Sequence, residues 1–281
     1  MTAAAIVATF DRPEFLADCL ASVAGALGPG DELIVAEAGD SDARTAIAAL
    51  DRAATHVPVA QAGKSRQLNA AIARATAPLL VFTDDDCRVD PAWVTSLAEP
   101  FADPEVGIAF GPVQGLTHVP GGGEVESPPP GEAPFVTWAY AHGASFAVRR
   151  EALLAIGGFD ERLGPGAPAH GEEHDVLLRL REHGWRAVIA DTPAVTHLAW
   201  RGTDESTANA LVYERGSGAF LGAALRRGPR RAWPLVKHRL GYQRQLLAAS
   251  RTGPDRTFGR RALRAFVGGL AYGVRLRPWG R

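Results

Sequence analysis

Cysteine is almost missing from this 281-residue chain, which has two. Cys19 and Cys87 show neither zinc-site spacing nor the density of a disulfide framework. A stapled secreted scaffold is therefore excluded, and a reducing, cytoplasmic setting is expected. Apolar runs long enough to span a bilayer are lacking. The opening MTAAAIVATFDRP has no basic segment ahead of a long apolar one, so no secretory signal is expected. Excess charge is absent too, with a net of -1. No nucleic-acid-binding motif stands out, so nucleic acid is not an expected partner.

What is present begins with 46% hydrophobic residues, enough to bury the core of one large domain or of a domain with an appendage. The small net charge conceals a division. Residues 1–200 hold 13 Lys and Arg against 27 Asp and Glu, whereas 201–281 hold 17 against 4. This split sets an acidic body, 1–200, apart from a basic extension, 201–281, suited to an anionic partner such as the inner face of the plasma membrane.

Along the body, short apolar strands alternate with helical spacing. Strands are expected over Ala3 to Thr9, Leu33 to Glu37, Val57 to Ala60 and Leu79 to Thr83; helices are expected from Phe15 through Val23, over Asp42 to Ala54 and over Ser65 to Ala75. The alternation predicts an α/β fold with a mostly parallel sheet flanked by helices. Ligands of such sheets sit beyond the carboxyl ends of the strands. Asp11, Arg12, Gly39, Asp40, Lys64, Arg66 and the acidic run at 84–86 should then line one crevice, whose mixed charge suits a nucleotide diphosphate with its metal.

The strand from Leu79 ends in Asp84-Asp85-Asp86. Adjacent carboxylates repel one another, and hard oxygen ligands are what Mg²⁺ or Mn²⁺ takes while binding phosphates. The plainer alternative is a solvated loop capping the helix expected after Pro91. Residues 115–134, rich in Gly and Pro, read as a loop where a substrate lid would lie. Glu172-Glu173-His174-Asp175 enters a helix from another Gly- and Pro-rich loop. The extension reads as helices broken near Gly228-Pro229 and Gly253-Pro254. Its apolar face over 262–276 suits either an anionic membrane surface or packing on the body. Trp138 and Trp185 read as core.

Six segments in order, VATFDRP, IVAEAGDSD, GKSRQLNAAIARA, FTDDDCRVDPAWV, GASFAVRREALLAIGGFDERL and GEEHDVLLRLREHG, together resemble the family 2 glycosyltransferases. The resemblance covers about residues 5–200. It implies a GT-A fold and transfer of a sugar from a nucleotide-sugar donor, metal dependent and inverting. UDP-sugars are favoured, with GDP- or dTDP-sugars as alternatives, and the acceptor is a sugar, a lipid-linked precursor or a small molecule. Carried over by position, it places Thr9, Asp11 and Arg12 near base and ribose, and Glu37 where an Asp usually reads the base. Lys64 and Arg66 fall near the diphosphate, Asp84 beside the ribose, and Asp86 (the last Asp of the DxD motif) with Asp84 and His197 at the metal, Asp85 lying between the two as part of the donor site. His142 and Asp160 would face the acceptor. The catalytic base is Glu172 or Glu173, with Glu173 favoured by alignment and Asp175 as the outside choice. A carboxylate there would take the acceptor hydroxyl's proton. A sugar-phosphate nucleotidyltransferase would open with a Gly-rich phosphate loop, which VATFDRP lacks; a non-catalytic nucleotide-binding or membrane-associated protein would have no use for both acidic clusters.

Overall fold

Runs of Ala, Ile, Val and Leu that are apolar on both faces become strands buried on both faces, as parallel sheets require. The computed structural model describes residues 1–115, 129–134, 140–198, 203–252 and 256–280. In chain order the elements are β1 (Ala3–Phe10), α1 (Pro13–Ala26), β2 (Glu32–Ala38), α2 (Ala43–Ala48), β3 (Thr55–Pro58), α3 (Lys64–Ile72), β4 (Leu79–Asp84), β5 (Cys87–Arg88), α4 (Trp93–Ala98), β6 (Val106–Phe110), β7 (Val113–Gln114), β8 (Gly131–Glu132), β9 (Phe146–Arg149), α5 (Arg150–Ala155), α6 (Glu172–Glu182), β10 (Arg186–Ile189), β11 (Val195–His197), α7 (Thr203–Arg227), α8 (Pro229–Ala249) and α9 (Phe258–Arg275). The helix expected over Asp42 to Ala54 is shorter, ending at Ala48. The expected lid falls mostly on 116–128, which with Trp138 and the break at Gly253-Pro254 lies outside the described residues.

The main sheet has the order β3-β2-β1-β4-β9-β6-β10-β8, and a small second sheet runs β5-β11-β7. β1 pairs in parallel with β2 on one side and β4 on the other. Strand order therefore reverses at β1, and a crevice opens between the ends of β1 and β4. Beneath it Phe82 stacks on Phe146 at 4.6 Å, with Phe159 edge-on at 5.6 Å. This fixes β9, antiparallel to β4, and holds the 157–160 turn against the sheet. Trp185 packs on this core as expected.

The basic extension folds onto itself and onto the body. A Cβ at Gly218, Gly222, Gly269 or Gly273 would overlap the backbone of the facing helix, so α7 and α9 approach at backbone contact. The buried face of α9 (Ala262, Phe266, Gly269 and Gly273) is thereby occupied by protein. Phe220 and Leu221 of α7 share one apolar cluster with Leu163, Ala169 and Leu178 of the body. No helix among the described residues is long and apolar enough to cross a membrane.

Candidate active site

At the end of β1 the Thr9 hydroxyl donates to Ser41 Oγ at 2.9 Å, and Gln67 Nε2 donates to the carbonyls of Thr9 and Ala36 at 2.6 and 3.0 Å. Gln67 thus staples the ends of two neighbouring strands. Asp11, with φ of 51°, accepts from the Asp40 N–H at 2.7 Å. Phe10 stands 48% exposed beside it. Glu37 Oε1 accepts from the Ser41 and Ala43 N–H groups at 3.0 Å each, and Oε2 lies 2.8 Å from His56 Nε2. Burial works against its charge, but the bonds from Ala43, His56 and Ser41 outweigh it and lower its pKa. Glu37 therefore holds the turn into α2.

The acidic run at the end of β4 faces two cations from two segments. Lys64 Nζ, at the start of α3, is hydrogen-bonded to Asp84 Oδ1 and lies 3.6 Å from Glu172 Oε1. Burial disfavours its charge, yet Asp84, Glu172 and Glu173 raise its pKa well above the usual value. Arg12 Nη1 lies 2.9 Å from Asp85 Oδ1 and 3.2 Å from Asp86 Oδ2. Burial, aided by Asp86 and Asp84, pushes Asp85 up to about 6 despite Arg12. Arg12 is thus paired with the carboxylates of the acidic run.

His197 comes from more than a hundred residues away. β11 pairs antiparallel with β5, setting His197 opposite Cys87, and the Leu198 N–H donates to the Asp86 carbonyl at 2.9 Å. His197 Nε2 then lies 3.4 Å from Asp86 Oδ1. Ligand atoms of Asp86, Cys87 and His197 all fall within 4.8 Å of one another. Two cis ligands at the 2.0–2.1 Å bonds of an octahedral hard cation are about 3 Å apart, so Asp86 and His197 suit one. Burial holds the Cys87 thiol protonated, well above its usual pKa, and a thiol is the wrong ligand for such an ion.

α6 is preceded by Gly171, whose φ of 97° is a left-handed conformation, and a Cβ there would sit 2.6 Å from Phe220 Cδ1. Its first turn carries Glu172 and Glu173, both buried. Glu172 Oε2 accepts from the Gly171 N–H at 3.2 Å. Burial and the charge of Glu173 push Glu172 up to about 8. Glu173 Oε1 lies 3.3 Å from His174 Nδ1, not aligned for a hydrogen bond. Burial opposes its charge, but His174 and Lys64 prevail and hold Glu173 well below the usual carboxylate range. The His174 ring stacks on Phe220 of α7 at 4.7 Å.

Three expected residues are not brought to the crevice. Asp175 is bonded to Arg179 at 2.7 Å and Arg227 at 2.9 Å, which makes it a structural clamp and not a base. Asp160 is held bidentate by Arg162 at 2.7 Å on each oxygen. Arg66 pairs with Glu161 at 3.1 Å instead of a phosphate pocket. His142 is buried, its N–H donating to the Tyr140 carbonyl at 2.9 Å. Its neighbour Gly143 does face the site: a Cβ there would lie 2.9 Å from Lys64 Nζ. Reading the sequence missed Gln67, Ser41, Phe10 and Phe220. Gln67 sits three positions after Lys64, one turn along the same helix, a spacing that could have revealed it.

The profile of glycosyl transferase family 2 matches residues 4–125. No curated protein matches the chain. Among solved structures, a mannosyltransferase from Pyrobaculum calidifontis, in complex with GDP-Man and Mn²⁺, is similar with a TM-score of 0.65 at 18% identity, over 97% of this chain and 87% of that one. Glucosyl-3-phosphoglycerate synthase from Mycobacterium tuberculosis, in complex with Mn²⁺, UDP and phosphoglyceric acid, is similar with a TM-score of 0.57 at 18% identity over 76% of each chain. TarS 1–349 from S. aureus gives 0.56 at 12% identity, over 96% of this chain and 89% of that one. The likeness shows the GT-A fold.

Proposed function

We propose, from the premise that residues 4–125 make this chain a family 2 glycosyltransferase, that it moves a sugar from a nucleotide-diphosphate donor to an acceptor hydroxyl with inversion. The observation that carries this reading is the convergence of three distant segments: Asp84 and Asp86 at the exit of β4, Glu172 and Glu173 from α6, and His197 from β11, tied together through Lys64 and Asp86. We assign the donor to the crevice between the ends of β1 and β4, with Phe10 offering a ring face to the base and Thr9, Asp11 and Ser41 framing the ribose. Asp86 and His197, with Asp84 beside them, would hold Mg²⁺ or Mn²⁺, which when bound supplies positive charge to the departing diphosphate. Lys64 adds a fixed cation on the same side.

Glu173 accepts the proton of the acceptor hydroxyl: His174 and Lys64 favour its charged form, whereas burial and the charge of Glu173 push Glu172 up, and Glu172 Oε1 lies 3.6 Å from Lys64 Nζ. The chemistry fits a UDP- or GDP-sugar as donor and a sugar, lipid-linked or small-molecule alcohol as acceptor. The catalytic unit is 1–200, with 201–281 as its support. Trp233, 52% exposed on α8 with Arg230 and Lys237 one turn to either side, supports a peripheral contact with an anionic membrane, at about 1 kcal/mol per basic residue. Calorimetry with UDP, GDP, dTDP and CDP, each with and without Mn²⁺, tests the donor site. Binding of none of them in Mn²⁺ would overturn the reading.

A further inference from the structure

We propose that a second site, separate from the donor crevice, binds a phosphate-bearing ligand in the cavity between α6, the start of α8 and the end of the chain. The cavity measures about 670 Å³ and is walled by Arg179, Glu182, the 227–231 segment and the 278–280 segment, with Ala155 and Ile156 as its apolar floor. It shares no residue with the crevice at Asp84 and Glu173.

Four observations give it an anion's chemistry. Its wall carries four arginines and one carboxylate; Glu182 is bonded to Arg227 Nε at 2.8 Å, and Arg179 is held by Asp175 and the carbonyls of Ile156 and Gly158, so the charge open to a ligand comes from the 227–231 segment. Arg227 Nη1 is taken by Asp175, while its Nη2 is buried without a partner. Arg230 and Arg231 are exposed, and neither side chain has a partner among the described residues. Finally, α8 points its N-terminus here with no acidic residue in its first turn, so the positive end of its dipole is uncompensated. Guanidinium forks match the oxygens of a phosphate group, and the apolar floor with Trp279 leaves room for an organic portion.

Calorimetric titration of the full chain with inorganic phosphate at low ionic strength should show one saturable site. Arg230→Ala with Arg231→Ala should weaken it about tenfold or more, since each charge-assisted bond contributes strongly; the paired Lys substitutions should retain most of it. Both positions are exposed, so an unchanged melting temperature verifies the fold. Absence of saturable binding, or binding indifferent to the Ala pair, would overturn the proposal. Vesicles of phosphatidic acid in phosphatidylcholine identify the source. Pelleting that is released by phosphate and lost in the Ala pair supports a lipid headgroup; phosphate binding without pelleting supports a free phosphorylated ligand.

Discussion

Glu173→Gln removes the carboxylate of the α6 turn that is ionised at neutral pH, while keeping its size and burial. A positioned general base contributes about 10²–10⁴ in rate, or about 3–5 kcal/mol. Glu173 sits near Lys64, His174 and Gly143 rather than at Thr9, Asp11 or Phe10. Donor affinity should therefore stay within about twofold while kcat falls at least about a hundredfold. The pH profile separates the two glutamates. With Glu173 held well below the usual range, kcat/KM should be flat between about pH 6 and 7.5. Were Glu172 the base, its pKa of about 8 would make the rate climb about tenfold per pH unit towards 8. Initial rates of nucleotide release from UDP- and GDP-sugars in Mn²⁺, with calorimetry for the donor, decide between them. A Gln variant with normal kcat, or a wild-type rate climbing through neutrality, refutes the assignment and passes the role to Glu172.

Asp86→Ala should abolish Mn²⁺-dependent binding of the nucleoside diphosphate; equal affinity with and without Mn²⁺ in the wild type would refute the metal assignment. Phe10→Ala should weaken donor binding about tenfold, as loss of one base-stacking contact does, with kcat unchanged at saturating donor, measured by a KM against kcat comparison. Phe220→Ala should lower stability by about 3–5 kcal/mol, read as a depressed denaturant midpoint, because the ring fills the cluster shared by extension and body and supports His174. A midpoint unmoved by that change would mean that the extension is not part of the cooperative unit.

Some of this architecture is local information. Strands β1, β2 and β4 follow from apolar runs buried on both faces, and Asp84 to Asp86 must fall at a strand exit because charge cannot continue into the sheet. The same order makes Lys64 a candidate, because it falls beyond the end of a strand facing the crevice, whereas Glu172 and Glu173 take a role only from the resemblance to family 2 glycosyltransferases. What order cannot give is pairing at long range. Only the sheet decides that β11 lies beside β5 and carries His197 to Asp86. Only packing decides that Asp175 and Asp160 belong to arginine clamps and that Arg66 turns to Glu161. The apolar face of α9 reads equally well as membrane-seeking or core-forming in one dimension. Four glycines on two facing helices let their backbones meet and settle it as core, because the energy of a close-packed interface depends on both surfaces while a hydrophobic pattern describes only one.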